Sequence, residues 1–298
     1  MEKLVVIAGT NASGKSGLGI ELAKHYGAEI ISADSRQVYE GLDLGSGKVT
    51  KEEMQGVPHH LLDVAKVNSF FSLKNFQSLC YGEIDDCLRR GVKPFLVGGT
   101  GLYINAVVDG YNLSVAPPTE QLRREIEEKS SEELIELIRS KNPEALENLD
   151  LQNKRRLERA AEKAVLGVQP EGQSEKRYDT LVLGVTWPRE VLYKRIEERL
   201  DRRLEQGMIE EVEHLITNGA TDDFLYRLGL EYRYILLYLR GHFQSKEAFR
   251  DKLFMEIRHL AKEQMTWFRK RKDIVWLDMT TDPFEQAIRK IDDFYCNK

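Results

Sequence analysis

The sequence predicts an α/β fold in which helices flank a parallel sheet, and three observations carry that expectation. Short β-branched, apolar runs recur between helical stretches. The first of these runs ends in a glycine-rich loop that opens a helix. One charged stretch in the middle has helical period and contains no strand candidate.

Taken in order, Leu4 to Ala8 is a continuous apolar run closed by Gly9, the pattern of a strand buried on both faces. A helix is expected from about Ser16 to His25. Glu29 to Ala33 reads as a second strand, ending at Asp34. A helix from about Leu73 to Arg90 then leads to a third strand, Pro94 to Val97, punctuated by Gly98-Gly99-Thr100-Gly101. The pattern changes at Pro117-Pro118. From Glu120 to about Gly167 the apolar positions Leu122, Ile126, Leu134, Leu137 and Ile138 keep helical spacing, so residues 117–170 are expected to form an all-helical insertion domain. The α/β core is then residues 1–116 and 171–298. Thr180 to Thr186 restores a strand, and Pro188 stands at the start of an amphipathic helix through Leu192, Ile196, Leu200 and Leu204 to Gly207. Ile274 to Leu277 is a last strand before a terminal helix. Strands and helices alternating at this spacing imply right-handed crossovers.

Composition narrows the function classes. The chain has 298 residues, of which 41% are hydrophobic and 31% charged, as in a folded globular protein. It has no run of eighteen apolar residues, and Met1-Glu2-Lys3 enters the first strand directly, so no membrane span or secretory leader is expected and the location expected is cytoplasmic. Cys80, Cys87 and Cys296 lack the spacing of a disulfide framework or a zinc site. His59, His60 and Asp63 do not suggest a metal either, because adjacent side chains on an extended segment point to opposite faces. The net charge of −5 argues against nucleic-acid binding by bulk attraction. Basic residues nevertheless gather locally, in Lys154-Arg155-Arg156 with Arg159, in Arg195, Arg199, Arg202 and Arg203, and around Arg269.

The loop after the first strand carries the chemistry. Gly9-Thr10-Asn11-Ala12-Ser13-Gly14-Lys15-Ser16 fits G-x-x-x-x-G-K-[ST], with a strand before it and a helix after it. The glycines let successive N–H groups curl inward, the helix N-terminus adds partial positive charge, and Lys15 adds a full one. The Ser16 hydroxyl is placed to ligate Mg²⁺. Such a P-loop NTPase-like fold recognises a diphosphate without saying which. A nucleotide hydrolase would add a strand ending in a metal-binding Asp; Asp34 is a weak candidate, so an ATP-binding kinase or NTPase acting on a small molecule stays open. Asp34-Ser35-Arg36-Gln37 follows the second strand and therefore emerges at the carboxyl edge of the sheet, where open α/β folds bind ligands.

Several longer motifs occur in order along nearly the whole chain: G-T-N-A-S-G-K-S, A-D-S-R-Q-V-Y, V-P-H-H-L-L-D, L-V-G-G-T-G-L-Y, R-R-L-E-R-A, W-P-R-E with R-x-x-R-L and G-M-I-E-E-V, and A-K-E-Q-M-T-W-F-R-K. In these the chain resembles the tRNA dimethylallyltransferase (tRNA isopentenyltransferase) family. It departs from the family at Thr10-Asn11, where Pro-Thr is usual, and at Leu228-Gly229-Leu230-Glu231-Tyr232-Arg233, where A-I-G-Y-[KR]-E is common. The resemblance implies that the P-loop holds dimethylallyl diphosphate, with Mg²⁺ as cofactor. The acceptor it implies is N6 of the adenosine immediately 3′ of the anticodon, in tRNAs reading codons that begin with U. It implies Asp34 as proton acceptor and Thr100 as a hydrogen-bonding partner of the leaving group or of the base. Arg227, with Arg233 as its rival, would steady the departing diphosphate. Ser35, Arg36 and Gln37 would read the adenine, and Arg155, Arg156 and Arg159 would hold the anticodon stem. A monomer is expected.

Overall fold

The computed structural model describes residues 1–113, 119–147, 149–167 and 175–296. Six parallel strands form its sheet: β1 (Lys3–Ala8), β2 (Ala28–Ala33), β3 (His59–His60), β4 (Lys93–Gly98), β5 (Asp179–Thr186) and β6 (Ile274–Asp278), in the order β3-β2-β4-β1-β5-β6. β1 runs through the middle of the sheet with β4 on one side and β5 on the other, and alternates its side chains between two cores. Leu4, Val6 and Ala8 pack with Phe76, Ile84 and Ile104 from α3 (Leu73–Arg89) and α4 (Gly101–Val108). Val5 and Ile7 pack with Leu18 and Leu22 of α1 (Lys15–Tyr26) and Ile291 of α13 (Pro283–Cys296). With both faces covered, every position from Leu4 to Ala8 must be apolar, which is why that stretch is an unbroken run.

Register aligns the strand ends. Ala8 stands opposite Gly98 and Gly184, and Ala33 opposite Gly98, so the residues that follow β1, β2, β4 and β5 leave the sheet along one edge. The short α2 (Lys51–Met54) caps itself through Thr50 and Glu53. A third core is helical: α8 (Arg189–Glu205), α9 (Met208–Thr217), α10 (Asp222–Leu228), α11 (Leu230–Leu239) and α12 (Lys246–Arg269) bury Leu200, Val212, Leu225, Tyr232, Ile235, Phe249 and Leu253 together. β3 was not expected from the sequence. Two adjacent histidines offer no period to read, and they pair with β2 only through Ile30 and Ile31.

The chain divides into two compact units, residues 1–110 with 176–298, and residues 111–175. The second unit is helical, with α5 (Glu120–Glu127), α6 (Ser131–Lys141), a 3-10 turn (Pro143–Leu146) and α7 (Lys154–Val165) around a core of Ile126, Leu134, Ile138, Leu157 and Ala161. The boundaries expected at 116/117 and 170/171 lie outside the described residues. No helix among the described residues is long and apolar enough to cross a membrane.

Candidate active site

Local geometry makes the P-loop an anion cradle. Gly14, the N-cap of α1, has φ +86°, which glycine adopts freely, and leaves the helix start without a side-chain cap. Lys15 follows in the first turn, where a cation is unfavourable unless an anion joins it. Distant residues tie down the loop's carbonyls. Trp187 Nε1 donates to the Ser13 carbonyl at 2.8 Å and Arg195 Nε to that of Ala12 at 3.0 Å. The Arg195 guanidinium also stacks 4.7 Å above the Trp187 ring. Lys15 Nζ rests on the Thr10 carbonyl at 3.2 Å.

A cavity of about 330 Å³ opens against the loop, lined by Asn11 to Ser16 and by Asp34, Gln37, Ser46, Gly47, Val49, Glu53, Arg195, Glu198, Arg199 and Arg202. Three arginines of α8, one turn apart, thus face the loop across the space. Burial and then the neighbouring Arg199 push Lys15 down to about 8, while Asp34 pulls the other way. Burial and then Arg203 lower Arg199 to about 10. The positive charge is crowded and partly dehydrated, a state that a bound polyanion relieves. The Ser16 hydroxyl and the carboxylates of Asp34 and Glu53 line the same cavity. An all-oxygen donor set of this kind fits Mg²⁺.

Asp34 fixes its own turn, with Oδ1 accepting from the N–H groups of Arg36 at 2.9 Å and Gln37 at 3.4 Å. Thr100 is the N-cap of α4, yet its hydroxyl makes no cap bond; instead it accepts from Ser35 N at 3.1 Å. Its own N–H donates to the Ala33 carbonyl at 3.1 Å, so the turns after β2 and β4 are latched around Asp34.

A protein-family model described as IPP transferase matches residues 37–271.

This chain belongs to the IPP transferase family.

Its relatives in that family include a tRNA dimethylallyltransferase of Anoxybacillus flavithermus, 39% identical over 298 residues, covering 97% of this chain and 95% of the relative. A tRNA dimethylallyltransferase 2 of Citrifermentans bemidjiense is 42% identical, covering 96% and 94%. Among solved structures, the full-length tRNA isopentenylpyrophosphate transferase of Bacillus halodurans matches with TM-score 0.74 and 38% identity, over 99% of this chain and 96% of that one. A eukaryotic dimethylallyltransferase, solved acting on tRNA, matches with TM-score 0.84 and 25% identity over 100% and 80%.

Within this IPP transferase family fold, Gly9 to Ser16, Asp34 and Thr100 meet at the sheet edge. Arg227 is not placed against this cavity. It is 59% exposed on α10, bonds Asp223 at 2.9 Å one helical turn away, and is not among the residues lining the cavity. Arg233 also points elsewhere, with Nε on the Tyr226 carbonyl at 2.9 Å and its guanidinium over the Tyr226 ring. The arginines that do face the loop, Arg195, Arg199 and Arg202, were read from sequence only as a basic cluster. Ser35, Arg36 and Gln37 are largely committed to the protein. Arg36 Nε holds the Leu228 carbonyl at 3.0 Å, and the Gln37 amide spans Ser32 and Gly47 at 3.3 Å each. Arg155, Arg156 and Arg159 lie on an exposed stretch of α7 in the helical unit, with Arg156 3.5 Å from Asp150 and Arg159 3.0 Å from Glu162.

His60 enters a different cluster from the one considered in the sequence. Its ring nitrogens sit 2.8 Å from Glu29 and 2.9 Å from Glu83, whereas His59 contacts the Val57 carbonyl and Asp63 pairs with Lys48. Glu29, His60 and Cys87 have ligand atoms within 4.8 Å of one another. Arg90, however, grips both Glu29 oxygens at 2.7 and 2.6 Å, and holds that carboxyl down at about 2. Burial and then Glu29 push the Cys87 thiol up to about 12, so it stays protonated within this network. These residues brace β2, β3 and α3 as an ion-pair network.

Proposed function

We propose that this chain transfers the dimethylallyl group of dimethylallyl diphosphate to N6 of the adenosine immediately 3′ of the anticodon, in tRNAs reading codons that begin with U. The observation that carries the reading is that one cavity joins the diphosphate cradle to the Asp34 carboxylate. The N6–C1 bond forms as the C1–O bond to diphosphate breaks, and the N6 proton passes to Asp34. A conjugated exocyclic amine is a weak nucleophile, so a positioned proton acceptor contributes about 10²–10⁴-fold. The leaving diphosphate gathers charge beside Lys15, the uncapped α1 N-terminus, Arg199 and Arg202, preorganised donors whose effect is greatest in an enclosed site. We assign the leaving-group role to these arginines in place of Arg227. Mg²⁺ would be held at the Ser16 hydroxyl with a cavity carboxylate, and when bound it supplies further neutralisation of diphosphate charge.

An unpaired anticodon-loop base leaves its stack at modest cost. Arg155, Arg156 and Arg159 are suited to phosphate contacts that position the stem without reading sequence. The side chains named all come from one chain, as a monomer requires, and the reading places its action in the cytoplasm.

The test incubates the protein with Mg²⁺ and labelled dimethylallyl diphosphate, and in parallel with such a tRNA, AMP, or ATP alone. Label should enter only the tRNA. Labelled AMP, or ATP hydrolysis without prenyl transfer, would overturn the reading in favour of a mononucleotide prenyltransferase or a small-molecule NTPase.

A further inference from the structure

We infer that Gln264 is a positioning residue: its side-chain amide sets the spacing between the diphosphate loop and the turn that carries Thr100. The inference rests on the prenyl-transfer reading and concerns a residue that lines no part of the cavity.

Gln264 projects from α12, between Ala261 and Phe268, both fully buried, so its starting point is fixed by packing. Its Oε1 accepts from Asn11 N at 2.9 Å, and its Nε2 donates to the Gly99 carbonyl at 3.0 Å. One planar group with a donor and an acceptor therefore bridges the turns that leave two adjacent strands, β1 and β4. Both ends lead to reacting groups. On the first side Asn11 precedes Ala12, whose carbonyl Arg195 holds. On the second, Gly99 precedes Thr100, which binds the Ala33 carbonyl and Ser35 N on either side of Asp34.

Loss of the bridge leaves an N–H and a carbonyl to find new partners, and the two turns then drift independently. That drift changes the distance from leaving group to proton acceptor without touching either. Glutamine is suited to this because its amide has both polarities at the right reach. A glutamate matches it only when protonated, since the carboxylate accepts but cannot donate to the Gly99 carbonyl.

The experiment uses the full-length protein with dimethylallyl diphosphate and tRNA, comparing wild type, Gln264→Met and Gln264→Glu. Gln264→Met, which removes both bonds at nearly constant length, is expected to lower kcat about 100-fold, the order of loss a 1 Å misplacement brings, with the KM for tRNA little changed. Gln264→Glu is expected to be similarly impaired at pH 8. Its kcat relative to wild type should rise as pH falls towards 5, while the Met variant's relative kcat stays flat. The Glu profile reads the bridge even where the Met variant folds poorly. A Met variant with wild-type kcat, or a Glu variant whose relative kcat ignores pH, overturns the inference and leaves prenyl transfer standing. A wild type that labels no tRNA removes both.

Discussion

Lys15 carries its charge into the first turn of α1, half-buried and beside Arg199, and its lowered value of about 8 has consequences for stability and for binding. Between about 8 and the ordinary 10.5 the unfolded chain binds a proton that the folded chain does not, so stability rises with pH across that window. Below it Lys15 is charged in both states and destabilises the ligand-free protein. Lys15→Met should therefore melt higher than wild type at pH 7, with the gap closing by pH 10, as read by thermal denaturation without diphosphate. The same charge is what inorganic diphosphate meets, so its wild-type affinity should fall as pH passes about 8, measured by calorimetry. Asp34→Asn keeps an oxygen for the Arg36 N–H and so should keep the turn; transfer should drop by about 10²-fold or more with tRNA binding intact, and an active variant would remove Asp34 as proton acceptor. At this scale the sequence made the loop and Asp34 readable, because each is a contiguous motif at a strand end. Gln264 and Trp187 were legible only as letters within longer motifs, for their partners lie 253 and 174 residues away.

Among the elements, α8 and α11 depend on a buried charge pair. Arg203 and Glu231 meet at 3.1 Å with side chains 11% and 5% exposed, and Arg203 also donates to the Gly45 carbonyl at 2.6 Å. Glu231→Ala strands a buried guanidinium and is expected to cost about 3–5 kcal/mol in chemical denaturation. Glu231 and Tyr232 are where the chain departs from the common family motif, and the structure gives the variant a use. Tyr232 donates to Glu211, which accepts from the N–H groups of Asp43, Leu44 and Gly45 and so shapes the loop that reaches Arg199 through Gly47. Gly98 closes β4 against β2 so tightly that a methyl group would run into the Ala33 carbonyl. Gly98→Ala, in which backbone has to yield, should lower stability by about 1–3 kcal/mol and loosen Thr100 with it. The longer strands were legible because two-sided burial demands unbroken apolar runs; β3 was not, because its pairing is set by β2 and not by its own two histidines.

At the scale of the whole molecule, the cavity and the helical unit belong to different parts of the chain. Residues 111–175 have their own apolar core, while every residue lining the diphosphate cavity belongs to the other unit. A chain with 111–175 replaced by a short glycine-serine linker should still bind inorganic diphosphate, and should lose tRNA affinity together with much of its salt dependence, measured by filter binding at two ionic strengths. Undiminished tRNA affinity would place the RNA contacts in the sheet unit alone.

The P-loop is the first functional motif to be synthesised, yet Trp187, Arg195 and Gln264 steady it, and β5, its neighbour in the sheet, is made some 170 residues later. A nascent chain still on the ribosome thus carries the motif before the residues that steady it exist. The loop reaches its observed partners only after α12 has emerged, so its shape is completed late in synthesis.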